Sequence, residues 1–141
     1  MANSRPELPD WIADHVKKYL ETNGTDGHIW RGVPTLLLTT TGRRSGESLL
    51  LPLIYGQDGA NYLVVASKGG APVHPGWYQN LVANPEVEVQ VGAEKFKAHA
   101  RTATAAEKPA LWEKMAAIWP AYNEYQQRTP RAIPIVILER Q

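Results

Sequence analysis

The chain has 141 residues, a formal net charge of +1 and no cysteine, which excludes a disulfide framework, thiol chemistry and bulk electrostatic binding of nucleic acid. This length is typical of one domain, so we interpret residues 1–141 as a single cofactor-binding domain in which residues 1–32 form an N-terminal helix and loop. Residues 1–6 lack an apolar signal-peptide core, and every apolar run is shorter than the roughly 20 residues that span a bilayer. A cytoplasmic location is therefore expected.

The N-terminal region predicts an amphipathic helix. Asp10 can cap it, and Gly24 follows its end. Apolar side chains recur on one face at helical spacing, at Ile12, Val16, Tyr19 and Leu20. We expect this face to pack on the rest of the domain; the alternative is a segment that touches a membrane or covers a ligand. Residues 23–32 are predicted to be a mobile loop.

The remainder of the chain predicts about six strands. They span approximately residues 35–41, 49–55, 62–66, 87–91, 96–101 and 133–138. The Asp58-Gly59 pair is typical of a hairpin turn before the third strand. Pro52 interrupts the second strand, which favours an edge or a bulge because proline cannot donate to the ladder.

Helical segments are few and short. One is predicted over residues 75–83, and another is predicted to end at Ile118 after a capping box formed by Thr104 and Glu107. A last short helix is predicted over about residues 121–128. Six strands with few helices indicate a mainly β (α+β) fold, a small, mostly antiparallel barrel with helices on its outside.

Two glycine-rich turns follow predicted strands and carry cations. In the first, Gly42 and Gly46 enclose Arg43 and Arg44, so backbone N–H groups and guanidinium groups can meet one anion. The second, Ser67–Gly70, lets a flat or anionic ligand approach the backbone, with Lys68 supplying a charge and Ser67 a hydroxyl. An ordinary hairpin and a flexible loop with solvated cations are the alternatives.

Two aromatic groups lie further along the chain. Trp77 and Asn80 are three residues apart on a predicted helix and therefore share a face. Trp119, Tyr122 and Tyr125 repeat the same spacing, which indicates a pocket wall or, alternatively, a packed core stripe.

Side chains that would perform chemistry unaided are sparse. The four histidines are scattered, with no pair at metal-ligand spacing, and no nucleophile elbow is present. No metal site is therefore predicted. A chain with pocket-forming motifs but few catalytic groups of its own is typical of a protein that uses a cofactor.

In their order and spacing, the two turns and two aromatic groups resemble the deazaflavin-dependent nitroreductase family. The resemblance covers roughly residues 30 to 140. It implies a split β-barrel that binds coenzyme F420 and transfers a hydride to an activated alkene, a quinone or a nitroaromatic compound. The partner is then a small planar organic substrate rather than a nucleic acid, and the protein a monomer or homodimer with at most peripheral membrane contact through its N-terminal helix.

The resemblance also implies roles for individual residues. Cofactor binding is expected at Arg43, Arg44, Pro52, Ala66, Ser67, Lys68, Gly69, Gly70, Trp77 and Asn80. Substrate binding is expected at Trp119, Tyr122 and Tyr125. The implied catalytic residues, which sit beside the reacting ring or donate a proton, are Ser67, Tyr122 and Tyr125.

One departure from the family pattern affects the cofactor prediction. The family often has an arginine near the position of Leu49, and leucine cannot pair with a phosphate. Two alternatives stay open, and the residue at Leu49 does not separate them from F420 binding: a related split barrel that binds flavin mononucleotide, and a non-catalytic binder of planar hydrophobic molecules that uses Trp11, Trp30 and the aromatic stripe.

Overall fold

The computed structural model describes residues 10–141, and Pro9 and the segment before it lie outside the described residues. The helices within this range are α1 (Asp10–Glu21), α2 (Gly76–Ala83), α3 (Lys108–Ile118) and α4 (Ala121–Gln127). The strands are β1 (Ile29–Trp30), β2 (Val33–Thr41), β3 (Ser48–Ile54), β4 (Gly56–Asp58), β5 (Asn61–Val65), β6 (Glu86–Val91), β7 (Glu94–Thr102) and β8 (Ile135–Arg140). The six predicted strands are present, and two very short strands, β1 and β4, are added to them.

The strands form one antiparallel sheet in the order β1-β2-β6-β7-β8-β5-β4, and β3 pairs with the other side of β2. Within residues 10–141 no ladder joins β3 to β4, so the curved sheet remains open along that line. This is the predicted mainly β, split-barrel architecture with helices on its outside. Pro52 lies on the edge strand β3, opposite Leu37 of β2. An edge position is what the missing N–H of proline predicts.

Successive side chains of the central strands point to opposite faces of the sheet, and an apolar cluster covers each face. Val64, Val136 and Leu138 pack in one apolar cluster with Leu36 of β2. The alternate side chains of β5 and β8 pack in a second cluster against Leu111 and Met115 of α3. Helices α3 and α4 therefore rest on one side of the sheet, and this contact determines where α4 presents its aromatic residues.

Helix α1 packs on the sheet through Tyr19, which is fully buried. The Tyr19 hydroxyl donates to the carbonyl oxygen of Thr35 at 3.0 Å and accepts from the N–H of Gly92 at 2.7 Å. Leu20, predicted to lie on the same face, is 43% exposed, because the contact face is narrow and centres on Tyr19. Asp10 lies in the first helical turn rather than before it.

The loop predicted over residues 23–32 is partly ordered as a strand. Ile29 and Trp30 form β1 and pair with Pro34 and Val33 of β2. The prediction of an irregular mobile loop was wrong at this point, because two residues are too few to show the alternation by which a strand is recognised. Trp30 is thereby held beside the sheet.

The predicted capping box is present at the start of α3. Glu107 accepts a hydrogen bond from the Thr104 N–H at 2.9 Å, and the Thr104 hydroxyl accepts one from the Glu107 N–H at 3.2 Å. Glu107, the second member of this box, directly precedes the first regular helical residue, Lys108. Across the described residues, no helix is both long enough and apolar enough to cross a membrane.

Candidate active site

A cavity of about 460 Å³ lies between α1, the edge strand β3 and helix α4. This volume falls within the range of about 300–1,000 Å³ that is typical of small-molecule sites. Most of its wall is apolar, and Ser67 and Lys68 bring polar groups to it from one turn. The predicted site residues on the wall are Pro52, Ser67, Lys68, Gly69, Trp77, Trp119, Tyr122 and Tyr125.

The Ser67–Gly70 turn forms the polar part of this wall. Ser67 has right-handed backbone angles (φ −80°, ψ −40°), and Lys68 follows with φ +46°, a rare conformation for a residue other than glycine. A right-handed residue followed by a left-handed one turns successive N–H groups towards the same side, which is the geometry of an anion nest. Gly70 allows the turn to pack under α4, because a Cβ there would come within 2.6 Å of the Tyr125 carbonyl oxygen.

The two arginines of the first turn have different surroundings. The backbone N–H of Arg43 donates to the side-chain oxygen of Asn80 at 3.2 Å, and its guanidinium donates to the same oxygen at 2.8 Å. Asn80 is 2% exposed, and its amide also faces the Thr40 hydroxyl. Arg44 is exposed, and like Lys68 it makes no ion pair with any residue from 10 to 141. Arg43 is therefore part of the turn's framework, whereas Arg44 and Lys68 are available to an anion.

The aromatic wall is built from two consecutive segments. Trp119 ends α3, whereas Tyr122 and Tyr125 lie on α4, so the three side chains do not share one helix as their spacing suggested. They nevertheless line the same cavity. The Tyr122 and Tyr125 ring centroids are 6.1 Å apart, and the indole N–H of Trp119 donates to the Tyr125 hydroxyl at 3.4 Å. Burial raises the pKa of Tyr122 above its ordinary value, so its hydroxyl keeps its proton at neutral pH.

Two further tryptophans, Trp11 and Trp30, extend this wall towards α1. The rings of Trp11 and Trp30 stack with centroids 6.0 Å apart, and those of Trp30 and Trp119 lie 5.8 Å apart. Ile12 and His15 of α1 also line the cavity. The helix predicted to pack on the barrel therefore also covers one side of the candidate site.

Comparison with known proteins decides the family. A family model described as F420H(2)-dependent quinone reductase matches residues 11–140. The chain belongs to this family. An F420H(2)-dependent quinone reductase of Mycobacterium tuberculosis is 42% identical, and the match covers 95% of this chain and 99% of the relative. The predicted recognition, the enzyme class of F420-dependent oxidoreductase and the cofactor F420 are confirmed at the level of the family.

Two solved structures extend the similarity to the fold. One, whose title describes a domain-swapped dimer, is 40% identical with a TM-score of 0.73 and covers 92% of this chain and 98% of its own. The other is entitled F420-H2 dependent reductase (FDR-A), is 41% identical with a TM-score of 0.71, and covers 79% of this chain and 98% of its own. The split-barrel prediction is therefore confirmed.

Some predicted cofactor residues of this family member lie off the cavity wall. They are Arg43, Arg44, Ala66, Gly70 and Asn80. Ala66 and Gly70 flank the turn that does line it, and Asn80 supports the arginine turn. Leu49, which the family pattern often replaces by arginine, lies opposite Thr40 in the β2–β3 ladder. Direct contact of these residues with cofactor stays a prediction.

Sequence reasoning missed Arg131, which lies between α4 and β8. Its guanidinium donates to the carbonyl oxygens of Ser67 at 2.7 Å and Ala71 at 2.8 Å, and so holds the polar turn of this family member from behind. The segment around Arg131 has no motif, and more than fifty residues separate it from the turn, so no local signal indicated the contact. Among the described residues no group of three His, Asp or Glu side chains is placed to hold a metal ion.

Proposed function

We propose that this protein transfers a hydride from reduced coenzyme F420 to a quinone, an activated alkene or a nitroaromatic compound bound in the 460 Å³ cavity. The observation that carries the proposal is the meeting of two unlike walls in one cavity. The Ser67–Gly69 turn offers backbone N–H groups and the Lys68 ammonium, whereas Trp119, Tyr122 and Tyr125 offer flat apolar surface. A charged cofactor and a planar substrate need these two kinds of surface side by side.

The residues present fit the cofactor. F420 carries an anionic tail and a flat deazaflavin ring, and when it is bound in its reduced form it supplies the hydride. The left-handed Lys68 backbone, the Lys68 and Arg44 side chains, which form no ion pair within residues 10–141, and the neighbouring apolar wall suit such a molecule. We assign cofactor binding to Arg43, Arg44, Pro52, Ala66, Ser67, Lys68, Gly69, Gly70, Trp77 and Asn80.

We assign the substrate to the wall made by Trp119, Tyr122 and Tyr125, which also brings the candidate proton donors. The Tyr125 hydroxyl accepts from Trp119 and keeps its own proton for donation. The Tyr122 hydroxyl makes no hydrogen bond to another residue in the range 10–141, and its raised pKa keeps it protonated. Either tyrosine, the Ser67 hydroxyl or a water molecule can supply the proton that accompanies reduction of a quinone. The contribution of the protein is then orientation and water exclusion.

The partners and location are proposed in the same terms. The substrate is a small planar organic molecule, and we propose no role for nucleic acid. The protein works in the cytoplasm as a monomer or homodimer, with at most peripheral membrane contact through α1, where Trp11 is 58% exposed. Light scattering after size exclusion and flotation with liposomes would measure the assembly state and the membrane contact.

A titration with two cofactors tests the proposal. Quenching of protein or cofactor fluorescence measures the Kd of F420 and of flavin mononucleotide, and we expect the smaller Kd for F420. A simple naphthoquinone is then added to the protein with reduced F420. The absorbance of oxidised deazaflavin, which recovers as reduced F420 is consumed, measures turnover. A smaller Kd for flavin mononucleotide would favour the flavin-binding alternative. Quinone binding without any oxidation of reduced F420 would favour the non-catalytic binder.

A further inference from the structure

Arg131 connects both ends of the polar turn. Its Nε donates to the carbonyl oxygen of Ala71 at 2.8 Å, its Nη2 to that of Ser67 at 2.7 Å and its Nη1 to that of Ala66 at 3.3 Å. Two of these carbonyl groups lie at the start of the turn and one lies just after it. A guanidinium can make all three bonds at once because its donors are fixed in a planar fork, which a lysine ammonium cannot reproduce.

The turn needs such support because its backbone is unusual. Lys68, Gly69 and Gly70 all have positive φ, at +46°, +63° and +83°. A side chain at φ +46° is strained, so Lys68 adopts this conformation only where the surroundings impose it. The carbonyl groups that accept from Arg131 are the fixed points on either side of that strained residue.

The same arginine ties the turn to the aromatic wall. The side chain of Gln126 on α4 donates to the Arg131 carbonyl oxygen at 2.7 Å and accepts from the N–H of Ile133 at 2.9 Å. Tyr122 and Tyr125 belong to this helix. The cofactor turn and the substrate wall are thus linked through one short segment rather than through the sheet alone.

His74 completes the contact. Arg131 Nη1 lies 3.0 Å from His74 Nδ1, and since a guanidinium only donates, Nδ1 must accept and the imidazole must be neutral. The Tyr78 ring lies 4.9 Å from the His74 ring, and the Gln79 amide donates to the His74 carbonyl oxygen. Burial, together with the positive charge of Arg131, lowers the pKa of His74 below its ordinary 6.5, and Arg131 is the charged group that faces the imidazole among the described residues.

We propose that Arg131 is a positioning residue which, through three backbone carbonyl groups and neutral His74, holds the Ser67–Gly70 turn in the conformation that binds the anionic cofactor. Protonation of His74 removes its acceptor and places two cations side by side, which loosens the turn. The proposal about the turn stands on the geometry alone; its consequence for F420 rests on the proposed function.

Hydrogen exchange of the cofactor-free protein tests the turn directly. In Arg131→Lys and Arg131→Ala, the amides of residues 67–71 should exchange faster than in the parent, whereas strands β6 and β7 keep their rates. Arg140→Lys is the matched control, because Arg140 forms an ion pair with Glu94 on the sheet surface. Unchanged exchange in the turn, or an increase of equal size throughout the chain, would overturn the positioning role.

Cofactor affinity supplies the second measurement. In Arg131→Lys the Kd for F420 should rise about tenfold or more, the effect of losing one charge-assisted bond, while β6 and β7 keep the exchange rates of the parent. If the parent binds no F420 but exchange in the turn still increases, the proposed function fails and the positioning role stands. If the Kd for F420 is unchanged although the turn exchanges faster, its role in cofactor binding is wrong.

A pH series isolates His74. The oxygen of Asn can replace Nδ1 as an acceptor without titrating, so His74→Asn should bind F420 as the parent does at neutral pH. As the pH falls below the ordinary histidine pKa of 6.5 and passes through the lowered pKa of His74, the parent should lose affinity more steeply than His74→Asn, since the ionisation of the cofactor is common to both. His74→Ala should bind F420 weakly at every pH, because alanine offers Arg131 no acceptor. If F420 affinity depends on pH in the same way in the parent and in His74→Asn, protonation of His74 does not loosen the turn.

Discussion

The side-chain oxygen of Asn80 accepts two hydrogen bonds from the single residue Arg43, one from the backbone N–H at 3.2 Å and one from the guanidinium at 2.8 Å. A buried amide on α2 thus determines the shape of a turn between β2 and β3. Arg43, which sequence analysis assigned to the anion, therefore uses two of its donors to hold the turn. The neighbouring Arg44 is exposed and makes no ion pair with a residue in the range 10–141.

We predict that Asn80→Ala destabilises the fold by about 1–3 kcal/mol, because the Arg43 N–H loses its partner in a site where Asn80 is 2% exposed. The free energy of unfolding in urea measures the effect. Asn123→Ala is the control, since Asn123 accepts only at an exposed site, from the Trp112 indole. Equal losses in the two variants would contradict the role given to Asn80.

We predict that Arg44→Ala and Lys68→Ala each raise the Kd for F420 by roughly tenfold or more, since a charge-assisted contact contributes about 1.5–3 kcal/mol. The affinity of the parent should fall as salt is added, and the slope should be smaller in both variants. Lys95→Ala, at an exposed position on β7, is the control for a change of net charge. If both variants bind as the parent does, the anion site lies elsewhere.

We predict that Tyr122→Phe and Tyr125→Phe change turnover more than cofactor affinity. If the hydroxyl donates the proton, kcat falls by about 10²-fold or more while the Kd for F420 changes little. If the ring only shapes the wall, phenylalanine is nearly silent and Tyr125→Ala raises KM instead. Because burial raises the Tyr122 pKa above its ordinary 10.0, kcat should show no alkaline fall from Tyr122 below about pH 10. Loss of F420 binding in both phenylalanine variants would refute the assignment.

We predict that the ion pair between Arg101 and Glu107, at the start of α3, stabilises the fold and that acid removes this stabilisation. Hydrogen bonds from Arg101 and from the Thr104 N–H lower the pKa of Glu107 from 4.5 to about 2. A carboxylate whose pKa is lowered by folding stabilises the folded state above its unfolded pKa, so this stabilisation is lost as the pH falls from about 4.5 towards 2. The melting temperature of Glu107→Gln should therefore depend less on pH in that window.

The control for this experiment is Glu113→Gln. Glu113 is exposed on α3 and forms no ion pair with a residue in the described part of the chain. The melting temperature of Glu113→Gln should depend on pH in the same way as that of the parent. A Glu107→Gln curve parallel to the parent curve would show that the Arg101 contact does not stabilise the fold.

Several parts of this molecule were determined by local sequence alone. The alternation Val87, Val89 and Val91 predicted β6, and the Thr104–Glu107 pair predicted the cap of α3, because side-chain period and capping depend on residues only a few positions apart. Of the two predicted glycine-rich turns, Ser67–Gly70 contributes to the cavity wall, whereas Arg43 and Arg44 of the other turn lie off it. The family resemblance added the split-barrel closure, which no local pattern specifies.

Only the tertiary structure decided which side chains meet. It placed Trp11 and Trp30 beside Trp119, used Arg43 as a partner of Asn80, and brought Arg131 behind the Ser67–Gly70 turn. These contacts join residues far apart in the chain, and their positions follow from the register of the sheet and the packing of helices against it. A single sequence carries no periodic signal for such pairings. The motifs therefore predicted a ligand site, and packing decided which residues support the turns and the cavity wall.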